Sequence, residues 1–426
     1  MFNRDLKFSS YSKLFLCLIL GISTKFSVAQ LNVDSQIRPR FEYRNGYGKL
    51  PDKLDIPAYF VNQRSRLTVD YQQPSYKSVF SIQDVRVWGD ATNYSATGIQ
   101  GSDASIDLYQ AWFEWIFTPG TSISIGRECL SYDDQRLISQ RNWNANGISY
   151  DALVLKTRLN SWDAHLGLSL NNNKENKYGN LYNTGKMKTM NFIHLQRPLT
   201  EKVQLSFIII GSGYTASDTS EIIYMRGTAG TYLKAGISPL EYSFSAYYQF
   251  GNNSFGIPVQ AYLIAPSLSW QPGLLVISTG LDYISGNPDD ANHNNKDRLF
   301  SILYGTRHRF YGNMDYFSNM EQSTNSRGLV DLWLSTQYKI LSGKIGLDIH
   351  RFSLQDDQFK LSDYLGSEVD LSFAQKISQE LNVSGGVSIY GSTKYFRDMQ
   401  SSSSSKRIPA WVWIMADFNI NLFGKE

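Results

Sequence analysis

An all-β fold, a transmembrane antiparallel up-and-down β-barrel of about 18 strands, is what this sequence predicts. Three observations carry the prediction. Side chains alternate two-fold between polar and apolar over many segments. Those segments run ~9–11 residues, the length a tilted strand needs to cross a bilayer. The connections between them alternate between tight and long, as in outer-membrane barrels. Composition agrees: 14% aromatic and 19% charged residues exclude a disordered chain, which lacks aromatics and carries excess charge. Past the N-terminus no run approaches the ~20 apolar residues of a spanning helix.

The first 29 residues read as a secretory signal, with residues 30–426 as the barrel. Arg4, Lys7 and Lys13 precede the apolar run Leu14 to Leu20, and Ser27-Val28-Ala29 offers small residues for cleavage before Gln30. Removing this leader leaves 37 basic and 37 acidic residues. A charge-based function must therefore come from segregation of charge. With two cysteines, only Cys129 beyond the leader, neither a disulfide framework nor a Cys-based metal site is expected.

The strands follow in order. In Gln36 to Arg44, Arg38, Arg40, Glu42 and Arg44 alternate with Ile37, Pro39, Phe41 and Tyr43. Arg64 to Tyr71 alternates likewise, as do Asp163 to Leu170, Gln204 to Ile209, Tyr242 to Phe250 and Glu368 to Phe373. Successive strand residues face opposite sides, so each segment has one apolar and one polar face. Tyr109, Phe113 and Trp115, with Trp411 and Trp413, suit aromatic girdles on the apolar face. Residues 76–88 slip phase, Phe80 and Ile82 against Asp84 and Arg86, as at a bulge. Tight joints are expected at 72–75, 117–120, 158–161, 197–202, 234–240, 270–274, 339–342 and 376–380. The long connections between them include 45–59, 89–104, 129–148 and 286–328. A nineteenth strand-like run, Arg309 to Phe317, would break this sorting. It belongs instead to the 286–328 connection, an external excursion that can fold into the lumen.

An arginine facing mid-bilayer lipid costs ~2–4 kcal/mol. Arg38, Arg40, Arg44, Arg64, Arg66 and Arg86 together would exceed the ~5–15 kcal/mol net stability of a typical domain, so they are expected to line water inside. Glu42, Asp70, Asp84 and Glu114 are placed beside them. Two readings stay open: an electropositive constriction that attracts and orients carboxylates, or a lumen closed by its own ion pairs.

The block Ile125-Gly126-Arg127-Glu128-Cys129-Leu130, Arg136-Leu137-Ile138, Arg141-Asn142-Trp143 and Tyr150-Asp151-Ala152 resembles a Gly-Arg-(x)-Glu-Leu, Arg-Leu-Ile, Asn-Trp, Phe-Asp block. That block belongs to the bacterial alginate-export outer-membrane porin family. Arg38-x-Arg40-x-Glu42, Asn62 to Arg66, Gln83 to Gly89, Ala246 to Gly251, Tyr283 to Gly286 and His308 to Tyr316 resemble the same family. The resemblance implies an 18-stranded monomeric barrel with an arginine-lined lumen that passes anionic polysaccharide. It puts Arg127 and Glu128 at the family's pore Arg-Glu pair. Cys129 departs from the pattern.

Other clusters carry less. The oxygen-rich run Gly286 to Asp297 lacks the spacing of a Ca²⁺ loop. The five histidines have no metal spacing, and no phosphate loop occurs. Arg307, His308 and Arg309 form a basic cluster that suits either a pore mouth or an outer patch holding lipopolysaccharide phosphates. The expected function is an outer-membrane channel for anionic solutes, of uronate or alginate-like polysaccharide or oligosaccharide type. A general anion-selective diffusion porin and a structural barrel are the alternatives. Arg38, Arg40, Arg44, Arg64, Arg66, Arg86, Arg127, Arg136, Arg141, Arg307 and His308 are the expected pore-lining residues. Glu42, Asp84, Glu114, Glu128 and Asp151 are their acidic partners. A barrel hydrolase would need Ser or Asp paired with His near one rim, and no such pairing is legible, so the chain is not read as an enzyme. No metal and no cofactor is expected. The expected partners are outer-membrane lipid, lipopolysaccharide, the anionic saccharide and periplasmic export or uptake proteins, with no nucleic acid.

Overall fold

Two-fold alternation leaves every strand with one face for hydrocarbon, and only a closed sheet spares backbone groups from facing lipid unpaired. The computed structural model describes residues 30–89, 106–288, 295–355, 363–402 and 407–424, so the expected leader lies outside the described residues. It contains one closed antiparallel sheet of 18 strands. The first nine are β1 (Gln30–Asn45), β2 (Ala58–Gln73), β3 (Tyr76–Val87), β4 (Ile106–Thr118), β5 (Thr121–Glu128), β6 (Tyr150–Leu159), β7 (Trp162–Leu168), β8 (Thr189–Thr200) and β9 (Val203–Thr215). The others are β10 (Ile223–Ile237), β11 (Leu240–Gly251), β12 (Ala261–Trp270), β13 (Leu275–Ile284), β14 (Leu329–Ile340), β15 (Gly343–Ser353), β16 (Tyr364–Lys376), β17 (Leu381–Ser392) and β18 (Ala410–Phe423). Each pairs with its sequence neighbours, and β1 closes the ring on β18, with Ile37 opposite Phe418 and Arg44 opposite Trp411.

The sorting of connections holds throughout, and the run 309–317 contains no strand. Outward faces carry Ile37, Phe41, Phe80, Ile125, Phe244, Leu347 and Leu371, all exposed for lipid. Tyr59, Trp88, Tyr248 and Phe250 lie toward one rim; Trp115, Phe117, Trp270 and Tyr338 lie toward the other. Those are the girdles. Trp411 and Trp413 are not part of them. They pair with Arg44 and Glu42 on the inner face, and Trp411 is fully buried.

The phase slip expected in β3 has a different cause. β3 runs against β2 without interruption from Tyr76 to Val87. The irregularity is on β4, where Ser81 opposes Gln110 and Ile82 opposes Leu108. The extra residue, Tyr109, turns inward and is buried under Arg66, whose guanidinium lies 3.5 Å from the ring centroid. Bulges re-aim side chains in this way. Because β3 keeps its phase, Asp84 and Arg86 face outward, opposite Ser65 and Gln63 of β2.

Much of the lumen is filled by the connection 129–149 and by residues 295–328 of the connection after β13. Leu137, Ile138, Phe300, Leu303, Met314, Phe317 and Met320 are nearly all buried and join one apolar core with Phe352, Tyr390 and Trp411 of the wall. Phe317 packs 4.5 Å from Phe352, and Tyr316 packs 4.5 Å from Tyr390, centroid to centroid. A four-residue helix, α1 (Met320–Ser323), ends the second connection, and α2 (Lys394–Met399) caps the β17–β18 loop.

Leu371 lies mid-strand on the lipid face, opposite Leu347 and Val387. Leu371→Arg is expected to lower barrel stability by ~2–4 kcal/mol, read from urea titration of folding into lipid vesicles. An unchanged midpoint would mean that this face does not meet lipid.

Candidate functional site

On the inner face of β1 and β2, Arg38, Arg40, Arg44, Arg64 and Arg66 stand together, because residues of even number on both strands point inward. Glu42 is fully buried among them. It accepts from Arg40 Nε at 2.9 Å, Arg44 Nε at 2.9 Å, Asn62 Nδ2 at 2.8 Å and Trp411 Nε1 at 2.9 Å. Four donors satisfy a buried carboxylate that would otherwise be costly.

Three of these arginines do not face open water. Arg38 donates to the carbonyls of Asn142, Trp143 and Asn144 at 2.8, 3.2 and 3.1 Å. Arg40 donates to Trp143 O at 3.1 Å, and Arg64 donates to Asn142 Oδ1 at 2.9 Å and to Gln36 Oε1 at 2.6 Å. All three are less than 10% exposed. Their work is to hold the 129–149 connection across the lumen. At its other end Asp133 accepts from Ser206 (2.6 Å) and hydrogen-bonds His194 (2.9 Å). Asp134 accepts from Ser245, and Arg136 spans Asp134 (2.9 Å) and Asp282 of β13 (2.6 Å). Arg136 is therefore an internal ion-pair member, sealed under the Phe310 ring.

The second connection seats on the opposite wall. Met314 N–H donates to Glu368 Oε1 at 2.7 Å, and Gly312, at φ +80°, lies so close that a Cβ would meet the Glu368 carboxylate at 2.7 Å. The two connections also bond to each other. Thr306 N–H donates to Gln135 O (2.8 Å), Arg141 donates to Gly305 O (2.9 Å) and Leu303 O (3.2 Å), and His308 stacks on Trp143 at 4.5 Å and 8°.

Between them lies a cavity of about 180 Å³, lined by Arg141, Trp143, Asn144, Thr306, Arg307, His308, Asp315 and Ser318. Asp315 is held by His308 (3.1 Å) and by Tyr47. Arg307 Nε is buried without a partner among the described residues. Among the described residues the Arg141 side chain donates only to carbonyls; burial and then the like charge of Arg307 pull it down to about 10, which still leaves it charged at neutral pH. A second cavity of about 390 Å³, on the side of the tight turns, is lined by Asp34, Gln36, Arg66, Thr68, Asn142 and Asn421. The segment 142–144 borders both.

Four expected lumen residues lie elsewhere. Arg127 pairs in register with Asp151 and Ala111, and its inward neighbour is Glu128. Adjacent strand residues cannot share a face, so the Arg127-Glu128 pair is split by the wall. Arg127 and Asp151 form a two-pronged ion pair on the face opposite Glu128, 2.9 Å at each contact, and at the strand end Arg127 also borders a cavity of about 410 Å³ with Gln83, Tyr109 and Asn146. Asp84 and Arg86 pair outside at 2.6 Å. All four sit near the long-loop ends of their strands, where a charge facing lipid costs only ~0–1 kcal/mol. Glu114 and Glu128 do face inward, but toward Lys156 (3.2 Å) and Ser124 (2.7 Å) and not toward arginine. Sequence reasoning passed over Trp143, Tyr47, Asp315 and Glu368. The signal was present: a 129–149 connection carrying Leu130, Leu137, Ile138 and Trp143 is too apolar for an exposed loop.

Arg38→Gln with Arg64→Gln removes charge-assisted hydrogen bonds worth ~1.5–3 kcal/mol each. Amide exchange at residues 140–147 should rise well above wild type while the strands stay protected. Equal protection would place the anchor elsewhere.

A sequence profile described as alginate export matches residues 29–409. No curated protein sequence matches the chain significantly. Among solved structures, Pseudomonas aeruginosa OpdK with vanillate is similar at 11% identity, with 92% of this chain and 98% of that one covered and a TM-score of 0.60. Acinetobacter baumannii OccAB1 is similar at 11% identity over 92% and 97%, with a TM-score of 0.61. OccAB4 of the same organism is similar at 11% over 94% and 100%, with a TM-score of 0.59. The closed barrel with its lipid-facing belt is a channel of the bacterial outer membrane, not an enzyme.

Proposed function

Since the chain belongs to the alginate-export family, we propose that this channel is selective for carboxylate-bearing solutes, uronate-type saccharides foremost. The observation that carries the reading is the cavity between the two inward connections. Among the described residues neither Arg141 nor Arg307 forms an ion pair within 4 Å, and the cavity's one acid, Asp315, is already engaged by His308 and Tyr47. In a site shielded from bulk water, guanidinium groups attract and orient carboxylates more strongly than in solution. Arg66, lining the second cavity with one bond to Gln83 Oε1 at 2.7 Å, supplies the next cationic station. Arg38, Arg40 and Arg64 contribute indirectly: they fix the segment between the two stations. Conduction needs sites that admit the ligand and release it. A pair of half-buried arginines facing a cavity meets that need better than a buried, fully paired network.

The alternative, a barrel closed by its own ion pairs, draws support from the Glu42 and Arg136 networks. Reversal potentials in a KCl gradient across planar bilayers separate the two. Wild type is expected to prefer anions, and Arg141→Glu with Arg307→Glu is expected to abolish or invert that preference. A channel without current, or one whose selectivity ignores the double variant, would overturn the proposal.

A further inference from the structure

We propose that the tight-turn mouth of the channel carries a capture site for anionic polysaccharide, built from Lys339, Lys344 and Lys376 on β14, β15 and β16. The proposal rests on the carboxylate-channel reading above and adds a second, separate site, where a polyanion is first met on the periplasmic side.

A charge pattern repeats around this mouth and breaks at one place. At three tight turns the inward-facing ends of a hairpin carry opposite charges that meet. Lys77 lies 3.1 Å from Asp70 between β2 and β3, Arg158 lies 2.8 Å from Asp163 between β6 and β7, and Lys234 lies 3.1 Å from Glu241 between β10 and β11. The β14–β15 hairpin does the reverse: Lys339 and Lys344 stand opposite each other in register. Lys344 is in register with Ala374, so Lys376 is its diagonal neighbour, and Lys376 N–H donates to Ser342 O of the same turn at 2.9 Å. Like charges directly opposite destabilise a strand pair, and diagonal neighbours at ~7–8 Å stay within reach of long side chains. All three lysines are exposed, and none forms an ion pair within 4 Å among the described residues; Lys344 Nζ donates to Gln337 Oε1 at 3.4 Å. Glu380, in the next turn, accepts from Ser378 Oγ at 2.8 Å. Three positive charges thus share one side of the mouth, bonded to no acid among the described residues. An anionic ligand removes that repulsion.

The direction of these side chains selects the ligand. A strand's period of two puts Lys339 on the face of Asp331, Lys344 on that of Phe352 and Lys376 on that of Glu368, three residues wholly buried inside the barrel. The alternate residues Tyr338 and Ile345 are exposed for lipid. The ammonium groups therefore turn into the mouth and away from the phosphates of the surrounding leaflet. Short turns of outer-membrane barrels are periplasmic, so a polymer arriving from the periplasm meets this mouth first. A lysine ammonium is a compact, strongly hydrated point charge on a flexible stem. Such groups draw a polyanion in and let each carboxylate exchange, while the guanidinium forks deeper in the lumen hold and orient it. Charge at a rim acts on the rate of encounter more than on the lifetime of the complex.

The test uses the purified full-length protein in planar phosphatidylcholine bilayers. Polymeric alginate is added to one side at a time, and single-channel current interruptions are the readout. Wild type should be interrupted more often from one side than from the other. Lys339→Gln with Lys344→Gln and Lys376→Gln should lower the frequency from that side about tenfold, the low end of electrostatic steering, and leave the other side as it was. Interruption length, set deeper in the lumen, is the reference within each trace. Because the triple variant removes like charges, it should fold at least as well as wild type, judged by heat-modified gel mobility; Lys344→Gln alone serves where it does not. Raising KCl from about 0.1 M to about 1 M, which shortens the Debye length from about 10 Å to about 3 Å, should erase the wild-type asymmetry. A triple variant that keeps the wild-type frequency, as lysines reserved for an acidic protein partner would, overturns the proposal. So does an equal fall from both sides, or the same asymmetry with neutral dextran. A channel with no anion preference in KCl fails at the earlier reading, before the side of entry is asked.

Discussion

The contact on which the interior depends is between guanidinium groups of the wall and backbone carbonyls of a crossing loop. Arg38, Arg40 and Arg64 present donors in a rigid fork, and residues 142–144 present carbonyls that have no strand partner. Neither side is comfortable alone. Arginine charge facing a narrow lumen lacks enough water to solvate it, and a loop crossing a barrel has backbone acceptors to satisfy. Each solves the other's problem, and so the loop is held across the channel at a fixed height. The stacked Trp143 and His308 rings, with Arg40 at 4.7 Å from the Trp143 centroid, then fix where the second connection can lie.

That arrangement divides the lumen by charge. β1 and β2 supply arginines; β13, β14 and β16 supply Asp282, Asp331, Glu368 and Asp370, all buried. The inward connections match this polarity. Arg136 turns to Asp282, and Met314 N–H turns to Glu368, while the carbonyls of 142–144 turn to the arginines. His350 meets Asp331 at 2.9 Å on the same wall. The connections thus have a polar lock on each side and an apolar core between, which is how a folded insert stays put in a barrel without a covalent link.

Most of this was legible early, because a strand's period of two is unforgiving. The lipid face had to be apolar, so the even positions of β1 and β2 had to face inward, and the sorting of turn lengths fixed 18 strands. The same rule, applied one residue too loosely, misplaced Arg127: with Glu128 inward, its neighbour had to be outward. Asp84 and Arg86 misled for a different reason. Their charges interrupt the apolar pattern of the outward face with no break in phase, since charge near a rim is affordable in a way that mid-bilayer charge is not.

The sequence by itself determined the barrel, its strand count and which arginines turn from lipid, because hydrocarbon penalises each misplaced charge locally, residue by residue. Only the tertiary structure decided which of those arginines remain available to a ligand. That depends on where two long connections land, and their landing is set by contacts between residues more than a hundred positions apart, such as Arg38 with Asn142 and Arg136 with Asp282. No periodic pattern encodes such meetings.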